Sequence, residues 1–106
     1  MVSEISAREL DDRLRGPRPP LLIDVREPNE WAFCRIAGAQ LKPLSQIQDW
    51  LGSLDPAAEI VFQCHSGVRS LQVAHYLQAQ GFQRVYNLRG GIDAWSREVD
   101  PSVPRY

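Results

Sequence analysis

The stretch Glu59-Ile60-Val61-Phe62-Gln63 leads directly into the loop Cys64-His65-Ser66-Gly67-Val68-Arg69, and helix-forming residues continue from Ser70 to Gln80. β-branched and aromatic residues in a run of this length are typical of a buried strand. Gly81 stands where a left-handed residue commonly ends a helix. The sequence therefore predicts a strand, a short loop and a helix in succession, with Cys64 at the carboxyl end of the strand.

Four further strands are predicted around this unit. Residues 2–6, 21–25 and 84–88 have strand composition, and a brief strand is expected between residues 36 and 44. Alternating strands and helices favour an α/β fold in which helices cover a mostly parallel sheet. The helices are predicted over residues 6–15, 27–33, 45–51, 70–80 and 91–97.

Two of these helices carry a signal at their first residue. Ser6 and Glu9 have the spacing of a capping box, and Ser45 is of a residue type that caps a helix N-terminus. The second helix is expected to turn Trp31 and Phe33 inward.

The length and charge of the chain limit its organisation and its partners. The chain has 106 residues, so we expect one domain over residues 1–106, in which Pro101 and Pro104 make residues 98–106 an extended tail. Lysine and arginine number 12 and aspartate and glutamate number 13, a formal net charge of -1. This balance argues against binding of nucleic acid or an anionic membrane through bulk charge.

Composition also suggests where the protein works. No apolar run approaches the ~20 residues that a membrane-spanning helix needs, and the first residues do not have the pattern of a secretion signal. The two cysteines, Cys34 and Cys64, are too few for a disulfide framework, and with the two histidines they lack paired metal-ligand spacing. We therefore expect a cytoplasmic monomer without a metal or cofactor.

The loop after the clearest strand predicts an anion cradle that holds a nucleophile. A helix N-terminus carries unpaired amides and about half a positive charge, and a tight loop adds further amides. Such surroundings favour the thiolate of a cysteine, which is its nucleophilic form. Gly67 permits the sharp turn, while His65 and Arg69 offer polar or cationic groups to an anionic substrate. The alternative is a cysteine that only packs, but packing needs neither the glycine, the arginine nor the helix start.

The segment Cys64-His65-Ser66-Gly67-Val68-Arg69-Ser70 resembles the active-site loop of the rhodaneses, sulfurtransferases that carry a persulfide on one cysteine. Ile23-Asp24-Val25-Arg26-Glu27-Pro28 is similar to the family's Asp-Val-Arg segment. Gly38-Ala39 and Leu88-Arg89-Gly90-Gly91 match two further family segments in the right order. The resemblance spans residues 21–97 and implies the three-layer rhodanese-like fold, with a central, mostly parallel five-stranded sheet flanked by helices.

The resemblance implies double displacement at Cys64 without a cofactor. The thiolate takes a sulfane sulfur from thiosulfate or another donor, loop amides hold the persulfide, and cyanide, a thiol or a protein accepts the sulfur. Expected ligands are therefore small sulfur-containing anions such as thiosulfate, together with a protein that gives or takes sulfur. The substrate-binding residues that it implies are His65, Ser66, Gly67, Val68, Arg69 and Ser70.

Some side chains near this loop have two possible roles. Arg69 could contact the sulfonate end of thiosulfate, or pair with a carboxylate that holds the loop shape. His65, at the exposed top of the loop, could steer anions, assist proton movement, or be a solvated residue only. Asp24 and Arg26 are expected to be structural. Glu27 and Glu30 could form an acid/base pair, but a solvated helix start explains them better.

Three other functions compete with sulfur transfer from free thiosulfate. The tail from Asp100 to Tyr106 resembles the ends of rhodanese domains fused to adenylating enzymes, which suggests a sulfur-relay partner of a thiolation enzyme. A phosphatase or arsenate reductase is disfavoured, because cysteine phosphatases of related fold place one residue more between the cysteine and the arginine. A binding module without catalysis is disfavoured by the intact Cys64.

The chain departs from the family pattern around Cys34. Cys34-Arg35 stands in place of the usual Gly-His, and Ala37 replaces a proline. Cys34 could be a resolving thiol that reaches a Cys64 persulfide, or an ordinary packed thiol. Free cysteine is among the most buried residue types, which favours the packed thiol.

Overall fold

A computed structural model describes residues 2–106, and Met1, the first residue of the predicted domain, lies outside the described residues. Five strands form one sheet in the order β1-β5-β4-β2-β3, and every neighbouring pair is parallel. The predicted α/β fold with a five-stranded sheet is therefore confirmed. The strands are Ser3–Ile5 (β1), Leu21–Asp24 (β2), Gln40–Leu41 (β3), Ile60–Gln63 (β4) and Val85–Leu88 (β5).

Within residues 2–106, four α-helices connect the strands and a fifth follows the last strand, and helices cover both faces of the sheet. The third is a single turn between two 3₁₀ turns, Leu44–Gln46 and Leu51–Ser53. Among residues 2–106 no helix is both long and apolar enough to cross a membrane. The helices are Ala7–Leu14 (α1), Pro28–Phe33 (α2), Ile47–Trp50 (α3), Val68–Ala79 (α4) and Gly91–Glu98 (α5).

The core lies in two apolar layers, one on each face of the sheet. On one face β2, β4 and β5 pack against α3 and α4, and Cys64 belongs to this layer. On the other face the sheet packs against α1 and α5, and Cys34 belongs to that layer. Strands buried on both sides read as continuous apolar runs, which is why residues 21–25 and 59–63 were recognisable.

The capping signals predicted from the sequence have different outcomes. The Ser6 hydroxyl accepts from the Glu9 N–H at 3.1 Å and the Glu9 carboxylate accepts from the Ser6 N–H at 3.0 Å, so the capping box is confirmed. The predicted cap at Ser45 is wrong. Ser45 lies within a 3₁₀ turn, and its hydroxyl donates instead to the Glu27 carboxylate at 2.5 Å.

The inward orientation predicted for the aromatic residues of α2 is also wrong. Phe33 is 57% exposed, Trp31 is half-buried with Arg35 over its ring, and no residue of 28–33 is fully buried. This helix has fewer than two turns, and Cys34 and Ile36 in the stretch after it fill the core instead. The local pattern therefore identified the helix but not the face that it buries.

The parallel topology brings the carboxyl ends of β2, β4 and β5 to one edge of the sheet. Loops at this edge, outside the carboxyl ends of parallel strands, are where α/β proteins bind ligands. The chain returns there after α5, because the tail makes a turn in which the Val103 N–H donates to the Asp100 carbonyl at 3.1 Å. The Ser96 hydroxyl then holds the Val103 carbonyl at 2.6 Å, so this end of the chain is anchored.

Candidate active site

The loop that follows β4 turns into α4 within four residues. Gly67 has φ +101°, in the left-handed region, and stands directly before Val68, the first residue of α4. The helix begins two residues earlier than the predicted Ser70, so Val68 and Arg69 lie in its first turn. A side chain at position 67 would also press on the Leu88 carbonyl, which leaves glycine as the residue that fits.

The sulfur of Cys64 is enclosed by polar groups on one side. The Gly67 N–H donates to Sγ at 3.1 Å, and the Ser70 hydroxyl oxygen lies 3.4 Å from Sγ. Cys64 is only 1% exposed, and the rest of its surface faces the apolar layer. An inward-facing amide therefore contacts the sulfur, as an anion cradle requires.

The first turn of α5 explains the orientation of the loop peptides. The Ile92 and Asp93 N–H groups donate to the Cys64 and His65 carbonyls at 2.9 and 3.1 Å. In a planar trans peptide the N–H points opposite to the C=O, so the next N–H groups of the loop face away from α5. A Cβ at Gly91 would lie 2.3 Å from the Cys64 carbonyl oxygen, so this approach requires glycine.

The Arg69 side chain leaves the loop and pairs with α2. Its Nη1 and Nη2 donate to the two Glu30 carboxylate oxygens at 2.7 and 3.0 Å, a bidentate pair. The Tyr106 hydroxyl donates to Glu30 Oε2 at 2.6 Å. Of the two roles open to Arg69, the geometry favours the one that holds the loop shape, while the idea that Glu30 is only a solvated helix start is wrong.

These contacts shift the ionisation of the groups involved. The hydrogen bonds from Arg69, and after them the bond from Tyr106, lower the pKa of Glu30 to about 2, although burial alone would raise it. The hydrogen bond to Glu30 also holds the pKa of Arg69 above its ordinary value. Burial raises the pKa of Tyr106 to about 12. Near pH 7, Glu30 and Arg69 are therefore both charged, and the Tyr106 hydroxyl is uncharged.

Replacing Glu30 with glutamine is expected to make the protein less stable at pH 7 by about 1 kcal/mol, because the pair is partly exposed. A carboxyl group whose pKa falls on folding stabilises the fold above its unfolded pKa. The contribution is therefore complete above about pH 4.5 and is lost as the pH falls towards about 2. Urea denaturation of both proteins at pH 7 and pH 3 should show the difference shrink at the lower pH.

Asp12→Asn is the matched control for this substitution, since it removes an exposed carboxylate from α1. It should not change the free energy of unfolding at pH 7 by more than about 0.5 kcal/mol. A Glu30→Gln protein that is as stable as this control at pH 7 would contradict the stabilising role of the pair.

The last residue of the chain contacts the loop with its ring. Tyr106 stacks on His65 with ring centroids 4.1 Å apart and planes 14° apart, and it meets Phe33 edge-on at 5.8 Å. His65 was expected at the exposed top of the loop but is half-buried. The stack restrains the imidazole of the residue that follows Cys64, so His65 is not a freely solvated residue.

The expectation that Asp24 and Arg26 are structural agrees with their geometry. Both side chains are fully buried, and Arg26 Nη2 donates to Asp24 Oδ2 at 2.6 Å and to the Cys34 carbonyl at 2.7 Å. Arg26 Nη1 donates to the Tyr106 hydroxyl at 3.0 Å. Burial alone would lower the pKa of Arg26, but these hydrogen bonds outweigh it and hold the pKa above its ordinary value. The pair therefore joins the end of β2 to the tail.

The two thiols belong to different layers of the core. Cys34 is buried on the face of α1 and α5, where Arg26 Nη1 lies 3.8 Å from its Sγ, and Cys64 is buried on the other face. Both are free. This placement favours a packed thiol over a resolving one. Within residues 2–106, no three His, Cys, Asp or Glu side chains group as a metal site would require.

The loop residues predicted to bind substrate differ in exposure. Gly67 and Ser70 are buried beside the sulfur, Arg69 is half-buried on Glu30, and Ser66 and Val68 are exposed. Sequence reasoning missed Asn87, whose amide contacts the loop from β5. Asn87 could have been noticed as a polar residue inside the apolar run Val85–Leu88. No local sequence pattern indicated that Tyr106 would contact the loop.

Comparison with known proteins agrees with this architecture. A family model described as the rhodanese-like domain matches residues 6–98. A protein from Allochromatium vinosum named sulfurtransferase is 41% identical over 97% of this chain and 96% of its own length. Other relatives are longer. The chain spans 38% of a rhodanese-like/PpiC domain-containing chloroplastic protein of Arabidopsis thaliana, which is 42% identical over 99% of the chain.

Two further matches are a longer protein that contains a similar domain and a solved structure of the same fold. MoeZ of Mycobacterium tuberculosis, whose name joins an adenylyltransferase to a sulfurtransferase, is 40% identical over 98% of this chain, which spans 27% of it. A solved structure of a rhodanese-like domain protein from Staphylococcus aureus has a TM-score of 0.84 at 32% identity, with 99% of both chains covered. The chain therefore belongs to the rhodanese-like domain family.

Proposed function

We propose that this protein moves a sulfane sulfur from thiosulfate or a persulfide donor through a persulfide on Cys64. The observation that carries the proposal is the 3.1 Å contact between the Gly67 N–H and the Cys64 sulfur, at the N-terminus of the 12-residue helix α4. Peptide donors and a helix dipole stabilise negative charge at that point without a charged side chain. Thiolate and persulfide anions are the two states of the cycle that need this stabilisation.

The proposed reaction has two displacements. The Cys64 thiolate attacks the outer sulfur of thiosulfate, an S–S bond forms at Cys64, and the S–S bond of thiosulfate breaks so that sulfite leaves with the electron pair. Cyanide or a thiolate then attacks the outer sulfur of the persulfide, and the Cys64 thiolate leaves. No proton or outside oxidant is needed, because the negative charge passes from sulfur to sulfur.

The loop residues have distinct parts in this proposal. The amides from Ser66 to Ser70 would hold the persulfide, and the Gly67 N–H already contacts the sulfur directly. Val68 and Ser66 are exposed at the rim, where an entering anion or acceptor would pass. Arg69 acts through Glu30 on the loop shape, and His65 offers a polar edge held in place by Tyr106. Cys64 alone forms the covalent bond.

The test of this proposal is a persulfide on Cys64. Protein incubated with thiosulfate should gain the mass of one sulfur atom, and added cyanide should remove it with release of thiocyanate. The added sulfur should map to the peptide that contains Cys64. The Cys34→Ser variant is the matched control and should load sulfur like the wild-type protein, because Cys34 lies in the other core layer. A folded protein that gains no sulfur would contradict the proposal, as would aryl-phosphate hydrolysis that depends on Cys64.

A sulfur relay within a thiolation or cofactor pathway is the second candidate. It is supported by the 40% identity to MoeZ, whose name includes an adenylyltransferase. A relay protein should turn over thiosulfate and cyanide slowly but accept sulfur quickly from a protein persulfide, such as that of a cysteine desulfurase. Rapid turnover of thiosulfate, with no faster transfer from the protein donor, would favour the small-molecule enzyme.

A further inference from the structure

A buried amide from β5 lies behind the catalytic loop. Asn87 is 1% exposed and makes three hydrogen bonds with its side chain. Its Nδ2 donates to the Gly67 carbonyl at 3.1 Å and to the Glu4 carboxylate at 2.8 Å, and its Oδ1 lies 2.5 Å from the Ser70 hydroxyl. It therefore contacts both of the residues that contact the Cys64 sulfur.

The orientation of this amide is determined by its partners. A carbonyl and a carboxylate can only accept hydrogen bonds, so the NH₂ end of Asn87 must face Gly67 and Glu4. The oxygen end is then left for the Ser70 hydroxyl, which donates to it. β1 and β5 are neighbours with Glu4 opposite Asn87, so the sheet itself fixes the origin of the side chain.

The two contacts have different effects on the groups beside the sulfur. The bond to the Gly67 carbonyl holds the left-handed residue whose own N–H points at Sγ. The bond from Ser70 to Asn87 uses the single proton of that hydroxyl, so the oxygen that lies 3.4 Å from Sγ does not donate to the sulfur. Donors that are held in place before the reaction need not reorganise when the charge develops. Most of their stabilising effect comes from this preorganisation.

We propose that Asn87 is a positioning residue of the Cys64 site, which holds the Gly67 N–H on the sulfur where it stabilises a sulfur anion. The proposal deepens the sulfur-transfer function and rests on it for its consequence in turnover. Its direct consequence, a stronger preference of Cys64 for the thiolate, can be measured without any sulfur donor. The hydrogen bonds of the Asn87 side chain go to Gly67, Ser70 and Glu4 and not to the sulfur, so it acts on the sulfur through Gly67.

Other charged groups around the loop also influence Cys64, so a test of Asn87 must leave them unchanged. Arg69 of α4 interacts electrostatically with Cys64 and is held by Glu30 of α2, and His65 lies next to Cys64 in the loop. Glu4 of β1 stands behind Asn87. The informative substitutions are therefore those that change Asn87 while leaving Arg69, Glu30 and His65 in place.

The experiment compares the rate of Cys64 alkylation by iodoacetamide against pH in a Cys34→Ser, Ser70→Ala background, because a Ser70 hydroxyl that has lost Asn87 would donate to the sulfur instead. Asn87→Ala should raise the midpoint of the rate profile by about one pH unit and slow alkylation at neutral pH about tenfold. Thiosulfate loading should slow by a similar factor. Asn29→Ala, at the other asparagine of the chain, is exposed on α2 and is the matched control, with less than a twofold effect expected.

A second pair of variants separates positioning from stability. Asn87→Asp turns a donor into a carboxylate oxygen that faces both Glu4 and the Gly67 carbonyl, so it should cost stability and raise the midpoint. Adding Glu4→Gln supplies a donor to the new carboxylate, so stability to urea should recover. The Gly67 carbonyl is still repelled in this double variant, and the raised midpoint should persist.

Two outcomes would overturn the inference. Alkylation profiles of Asn87→Ala and Asn87→Asp that match the Asn29→Ala profile would show that Asn87 does not act on the sulfur. A midpoint that returns to the wild-type value together with stability in the double variant would show a purely structural residue. If instead the wild-type protein alkylates with a low midpoint but never loads sulfur, the proposed function fails while the positioning role of Asn87 stands.

Discussion

Replacing Cys64 with serine is expected to lower sulfur transfer from thiosulfate to cyanide by at least about a thousandfold. A serine hydroxyl is not ionised at neutral pH and cannot hold a transferable sulfane sulfur, so both displacements lose their nucleophile. The substitution exchanges one small side chain for another at a site where the Gly67 N–H can donate to the new hydroxyl and the Ser70 oxygen can accept from it. The fold should therefore survive the change.

Steady-state turnover and intact mass after thiosulfate treatment measure this effect separately. The Cys34→Ser variant, which loses the other thiol of the chain, should keep both activities within about twofold. Circular dichroism and urea denaturation should show that the Cys64→Ser protein is folded. Activity in that folded variant above a tenth of the wild-type value would remove Cys64 as the sulfur carrier.

Replacing Arg26 with methionine is expected to lower the free energy of unfolding by about 3–5 kcal/mol. The guanidinium and the Asp24 carboxylate are both 0% exposed, so removal of one leaves the other charged and buried without its partner. The Cys34 carbonyl and the Tyr106 hydroxyl lose a donor in the same step. Because domains of this size are stable by about 5–15 kcal/mol, this loss is a large fraction of the total stability.

Arg105→Met is the matched control, because it removes an exposed arginine that pairs with Asp93 at 2.9 Å. That pair should be worth no more than about 1 kcal/mol. The double variant Asp24→Asn and Arg26→Met should be more stable than Arg26→Met alone, since it leaves no buried charge. Urea denaturation curves that are equal for Arg26→Met and Arg105→Met would contradict the stabilising role assigned to the buried pair.

Much of the candidate site could be predicted because its main parts are close together in the chain. Cys64, Gly67 and Ser70 lie within one strand–loop–helix unit, and a strand composition followed by a glycine and a helix predicts that unit locally. The Ser6 capping box was predictable for the same reason, since its two hydrogen bonds join residues three apart. Local signals of this kind do not depend on how the rest of the chain folds.

The wrong predictions concern which side chains a local element buries. Ser45 has the residue type of a helix cap, but the Glu27 carboxylate, 18 residues earlier in the chain, takes its hydroxyl. Phe33 is apolar but 57% exposed, because its short helix does not lie against the sheet with that face. In both cases the residue type had the expected local preference, but the tertiary structure overrode it.

The amino-acid sequence alone determined the order of the elements, the parallel sheet and the position of one cysteine after a central strand, because apolar runs, glycines and caps act over a few residues. Only the tertiary structure decided what holds that cysteine's loop. Glu30 meets Arg69 across 39 residues, Tyr106 meets Glu30 across 76 and Asn87 meets Glu4 across 83. Polar side chains of these types have many possible partners, and the choice among them depends on which chain segments the sheet brings to one edge.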